Sequence, residues 1–144
     1  MAARHRARAV GVQVLFQLEL QPGDWRQPLS YQLGEQPLAA ADATFLEGLM
    51  EQAGDHRDEI DQVIREGSTH WSLDQMGAVE RAVLRLAVAE LLFTATPPPV
   101  AISEAVELAK ALAGQEAARF VNGVLGSIGR SRLGVGSGAR TPGR

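Results

Sequence analysis

The chain contains no cysteine. That absence excludes disulfides, thiolate metal sites and thiol nucleophiles together, and it suits a reducing cytoplasm. No apolar run approaches the length of a membrane span, and the start, Met1-Ala-Ala-Arg-His-Arg-Ala-Arg8, leads into an amphipathic pattern without a signal-peptide apolar region. A soluble, cytoplasmic protein is expected. Strand signals are nearly missing as well, since no sustained alternation of β-branched and aromatic residues occurs. Catalytic motifs are also lacking. His5, His56 and His70 have no metal-ligand spacing, and there is no phosphate loop, dinucleotide fingerprint or nucleophile elbow. The carboxylate pairs Glu104/Glu107 and Asp58/Asp61, each three residues apart, read as solvated helix faces rather than as general acid and base. Neither catalysis nor a metal or cofactor is expected.

What is present begins with charge. The net charge of -3 hides an asymmetry: all seventeen acidic residues lie between Glu19 and Glu116. Residues 9–129 carry a net charge of -10, while the two ends add +7 through Arg4, Arg6, Arg8, Arg130, Arg132, Arg140 and Arg144. An acidic body with basic ends is not a general polyanion binder. It points to a localised basic site whose pull on phosphates is screened beyond about 8–10 Å at physiological salt.

Helical periodicity recurs along 144 residues, a length suited to one domain or two closely packed subdomains. Ala7, Val10, Gly11, Val14 and Leu18 share one side of a helix over about residues 3–20, which Pro22-Gly23 ends. Further helices are predicted at about 27–35, 39–53 and 56–65. Gly67-Ser68 reads as the main internal boundary, after which Ser72-Leu-Asp-Gln75 has capping-box spacing. The strongest helix is predicted over 78–94, and Pro97-Pro98-Pro99 breaks it. Helices at about 101–112 and 115–128 follow, and an Arg/Gly-rich tail over 131–144 is expected to be disordered. The reading is all-α: six to seven helices in one domain over 1–130, with subdomains over about 1–67 and 68–130.

Four features carry functional information. The head, Arg4-His5-Arg6-Ala7-Arg8, fans three guanidiniums and an imidazole around the first helical turns. Guanidiniums fork onto phosphates and stack on bases, whereas cations beside the positive end of a helix dipole gain nothing locally. Single-stranded RNA contact is the favoured reading, against a frayed, solvated helix start. Second, Val12, Phe16 and Leu20 form another apolar face on the same helix, either sandwiched in the core or offered to a partner. Third, Glu90 sits next to the core stripe of the strongest helix, where an ion pair with a neighbouring helix is expected; Glu80 follows a possible cap at Gly77. Fourth, Asn122-Gly123 interrupts a clean helical stripe, and packing is favoured for Gly123 because a mid-helix glycine usually marks close approach.

Three blocks then resemble one family. The head through Phe16 resembles the arginine-rich first helix of the NusB family, and Val79-Glu-Arg-Ala-Val-Leu-Arg-Leu-Ala-Val-Ala-Glu-Leu91 resembles its central helix. Val100 to Lys110, followed by Phe120-Val-Asn-Gly-Val-Leu125, resembles its C-terminal hallmark. The resemblance implies a fold of two packed helical subdomains. It implies a partner, NusE, which is a small-subunit ribosomal protein in a second role. It further implies boxA RNA in nascent ribosomal RNA transcripts and the RNA polymerase antitermination complex. By position it carries RNA contact to Arg4, His5, Arg6 and Arg8, and to Glu116, Arg119, Phe120 and Asn122; it carries NusE contact to Phe16 and Glu80. Val12 joins the expected partner face through the second apolar stripe. His5 stands where the family usually has arginine, Phe16 where tyrosine is common, and Gly77 where a Ser/Thr-type cap is usual.

Two other functions fit the same residues. NusB-like domains also precede ribosomal RNA cytosine methyltransferases, although this chain ends before such a catalytic domain and would need a separate enzyme. A homodimer joined through the Val12/Phe16/Leu20 face is the third reading.

Overall fold

The computed structural model describes residues 4–134, and the last ten residues of the expected tail lie outside that span. Among the described residues there are seven α-helices and no strand. They are α1 (His5–Leu20), α2 (Arg26–Glu35), α3 (Ala40–Asp55), α4 (Arg57–Gly67), α5 (Ala78–Phe93), α6 (Pro98–Ala113) and α7 (Gln115–Arg132), with a 3-10 turn at Leu73–Gln75 before α5.

α5 is the axis. Its apolar residues continue around the helix, with Ala82, Val83, Leu84, Leu86, Ala87, Val88, Ala89 and Leu91 all buried. A helix apolar on all sides must be enclosed, and α1, α3, α4, α6 and α7 pack around it. One contiguous apolar cluster runs across the boundary expected at Gly67-Ser68. At that boundary α4 meets α7 closely: a Cβ on Gly67 would stand 2.6 Å from Ile128 Cγ1 and 3.0 Å from the Val124 carbonyl oxygen.

Local sequence explains most helix ends. Ser72 and Gln75 form the expected capping box, with the Ser72 N–H donating to Gln75 Oε1 at 2.9 Å. Gly77 occupies the N-cap of α5. The proline run stops α5 but also starts α6, three residues earlier than the apolar spacing suggests: Pro98 and Pro99 occupy the opening positions, where no N–H is needed and φ is already helical. α7 continues through Ser131 and Arg132, two residues into the stretch expected to be disordered.

Gly123 departs from expectation more plainly. It lies on the exposed side of α7, and a Cβ there would meet nothing within 4 Å. No helix packs against it. The apolar stripe of α7, through Val121, Val124, Leu125 and Ile128, simply faces the other way.

Candidate functional site

The basic head is anchored to acids of the body. The Arg4 guanidinium lies 4.3 Å from the centroid of the Phe45 ring and 3.9 Å from Asp42, both on α3. His5 Nδ1 is 3.2 Å from Glu104 Oε1 on α6, an ion pair only when the imidazole is protonated. Arg6 donates to the Pro37 carbonyl at 3.3 Å. These three side chains remain accessible, with Arg4 45% and His5 41% exposed.

Arg8 is the correction within the head. It is 4% exposed, and its fork donates twice to Glu90 on α5, Nε to Oε1 at 2.9 Å and Nη2 to Oε2 at 2.7 Å. It cannot reach a phosphate in this arrangement. The hydrogen bond to Glu90, opposed by burial and aided by the charges of Glu90 and Glu104, holds the Arg8 guanidinium above its ordinary pKa. Its Nη1 is buried without a hydrogen-bond partner, 3.6 Å from the same Glu104 oxygen that meets His5. Glu90 thus has the inter-helix ion pair expected of it. Glu104 and Asp61, expected on solvated faces, are also engaged across helices, while Glu107 and Asp58 are exposed.

The ion pairs fix the direction of α1. Arg8 meets Glu90, and Glu19 meets Arg81 and Arg85, so α1 runs antiparallel to α5. His5 meets Glu104, and Val12 shares a narrow seam with Ala105 and Leu108, so α1 and α6 run in the same direction alongside α5. Val12 is therefore at the seam's floor and only 2% exposed, which removes it from the expected partner face. One helical turn further, a rise of about 5–6 Å, the seam opens. Phe16 is half-buried there, and Leu20 and Leu112 are 72% and 52% exposed.

A charged network braces that end. Arg81 donates through Nη2 to Glu19 Oε1 at 2.8 Å and through Nη1 to the carbonyls of Leu73 and Met76, tying α1 and α5 to the 3-10 turn. Arg85 links the same glutamate to Asp61 on α4, with Nε to Oδ1 at 2.9 Å. Hydrogen bonding from Arg81, against burial, holds Glu19 below the usual carboxylate range. No spacing in the sequence pairs Glu19 with Arg81, because the contact joins residues 62 positions apart.

The remaining expected residues separate into two places. Glu80, Glu116 and Phe120 line one groove beside the 3-10 turn, together with Trp71, which no sequence pattern marks. Arg119 and Asn122 lie on the exposed side of α7. No hydrogen bond or ion pair among the described residues joins either group to the head. Among the described residues there is also no group of three or more metal-ligating side chains, and no helix long and apolar enough to cross a membrane.

A basic helix start at one end of α1 and an opening apolar seam at the other define a helical binding module. The NusB family model matches residues 5–130. A transcription antitermination protein NusB from Saccharopolyspora erythraea is 43% identical over 130 residues, covering 89% of this chain and 87% of that protein. The protein of the same description from Chloroflexus aggregans is 40% identical over 128 residues, covering 87% and 85%. A crystal structure of the antitermination factors NusB and NusE in complex with dsRNA contains a chain that superposes with a TM-score of 0.83 at 32% identity, covering 91% of this chain and 98% of that one. The chain belongs to the NusB family.

Proposed function

We propose that this protein is a transcription antitermination factor that binds boxA-type RNA together with NusE and supports processive transcription of ribosomal RNA operons. It works in the cytoplasm as part of the RNA polymerase antitermination complex, by binding and without catalysis. The observation that carries this reading is the exposed cationic start of α1, Arg4, His5 and Arg6, on a NusB-family fold. A structural relative containing NusB, NusE and RNA supports it further.

On this reading RNA approaches the head and exchanges its phosphates for the body's carboxylates. The Arg4–Asp42 and His5–Glu104 contacts are accessible to solvent, and such pairs contribute at most about 1 kcal/mol each, so replacing them costs little. Arg119 and Asn122 extend the RNA surface along α7. NusE covers the open end of the seam, where Phe16, Leu20 and Leu112 supply apolar area and Glu80 supplies charge.

The test is equilibrium binding of boxA RNA and a scrambled control, with and without NusE. Selective binding strengthened by NusE is expected. Equal affinity for both RNAs in the presence of NusE would overturn the reading.

A further inference from the structure

One oxygen of Glu104 is shared between two basic side chains of α1. Glu104 Oε1 lies 3.2 Å from His5 Nδ1 and 3.6 Å from Arg8 Nη1. The first is within reach of a hydrogen bond and the second is too long for one. The two side chains differ in their alternatives. His5 is accessible to solvent and to a phosphate. Arg8 is buried, and its Nη1 has no hydrogen-bond partner among the described residues. A buried N–H left unpaired keeps the whole cost of its lost hydration, and a nearby carboxylate oxygen is the acceptor best suited to remove it.

The other charges around the head are already committed. Arg4 is held by Asp42 on α3, Arg6 donates to the Pro37 carbonyl, and Glu90 on α5 takes the Nε and Nη2 of Arg8. Glu107, nearly one turn further along α6, is exposed. Glu104 is where the demands of His5 and Arg8 meet.

We infer that Glu104 is a two-position residue, which holds His5 in the free protein and closes onto Arg8 Nη1 when RNA draws His5 away. It rests on the RNA reading above and deepens it. A movement of about 0.7 Å brings Oε1 to the length of a charge-assisted hydrogen bond, about 2.9 Å. Glu104 is only 18% exposed, so losing His5 without a replacement would leave its carboxylate poorly solvated. The handover offsets part of that cost and completes the pairing of Arg8 in the same step. Glu104 is thus a positioning residue. It touches no RNA, and it tightens the junction of α1, α5 and α6 as the head is taken. One exposed pair is exchanged for one buried hydrogen bond, so the net change in RNA affinity is small and the readout is Arg8 itself.

The test is NMR spectroscopy of the full chain carrying isotopically labelled arginine, at about pH 6, where an imidazole is largely charged. The Arg8 signals are assigned by their loss in Arg8→Met/Glu90→Leu. Wild type and His5→Ala are each recorded with and without saturating boxA RNA. A hydrogen bond at Nη1 moves its proton resonances downfield. In wild type that shift is expected on adding RNA. In His5→Ala, which frees Glu104 permanently, the shifted position is expected without RNA, and RNA should move it no further. His5 is accessible and alanine is the best helix former, so this variant should fold, as a thermal melt verifies. Resonances of Arg8 Nη1 that saturating RNA leaves unmoved in wild type overturn the inference and leave the RNA reading intact. So do resonances that keep the free wild-type position in His5→Ala, or that RNA still shifts there. Failure of wild type to bind boxA RNA, with NusE present or absent, overturns both.

Discussion

Replacing Glu90 by alanine should destabilise the protein severely while leaving the accessible part of the head chemically intact. Glu90 is 1% exposed and Arg8 4%, and the two hydrogen bonds between them are 2.9 and 2.7 Å long. Without Glu90 the guanidinium keeps one near anion, Glu104, which lies 3.6 Å away and already meets His5. An uncompensated buried charge costs about 3–5 kcal/mol. Closure of Glu104 onto the free Nη1 should hold the loss near 3 kcal/mol, a large share of a total of about 5–15 kcal/mol. For a chain of this size that corresponds to a fall in Tm of about 10 °C. The matched double variant, Arg8→Met with Glu90→Leu, removes both charges and keeps volume, so it should recover to within about 1 kcal/mol of wild type. It should also bind RNA like wild type, since Arg8 reaches no phosphate. Urea unfolding followed by far-ultraviolet circular dichroism measures both variants. A loss under about 1 kcal/mol for Glu90→Ala, the scale of a surface substitution, would refute the burial of this pair.

Two glycines should respond in opposite directions: Gly67→Ala, whose Cβ would stand 2.6 Å from Ile128, should cost about 1–3 kcal/mol, whereas Gly123→Ala, with open space around it, should stabilise by about 0.5–1 kcal/mol. Denaturant midpoints decide both. Glu19 has a folded pKa lowered below its ordinary 4.5, so the unfolded chain binds more protons in that range. Stability should therefore be complete above about pH 4.5 and fall as pH drops through the lowered value, and Glu19→Gln should flatten that part of the pH profile in chemical denaturation. Glu104→Gln should weaken the hold on His5 and raise boxA RNA affinity by about two- to fivefold, on the scale of one exposed ion pair; an unchanged or weaker affinity in a fluorescence anisotropy titration would show that Glu104 does not compete with RNA.

Periodicity made the helices readable because each long helix has a face that must be buried. The apolar positions of α1, α5 and α7 recur in the observed core. Local chemistry was equally legible at Ser72 and Gln75, whose bonds span three residues. The sequence failed where a residue's role depends on a distant partner. Arg8 repeats the spacing of Arg4 on the helix, yet the approach of α5 converts one into a core ion pair while the other stays accessible. Val12 and Phe16 share a stripe, but the seam between α5 and α6 closes over the first and opens at the second. Asn122-Gly123 suggested close packing because glycine is costly in a helix, and only the packing direction of α7 shows that this face is open. Nothing in the sequence marks Trp71, because an isolated tryptophan has no pattern; its exposure in the groove with Glu80 and Glu116 is a tertiary property.

The most direct test of the account is the salt dependence of boxA RNA binding to the complex with NusE, for wild type and for Arg4→Ala/Arg6→Ala. If these guanidiniums meet phosphates, the slope of log K against log salt should fall in magnitude by about 0.7 for each lost contact on single-stranded RNA, about 1.4 in all. NusE affinity should not change. An unaltered slope in the double variant would contradict the assignment of RNA to the start of α1.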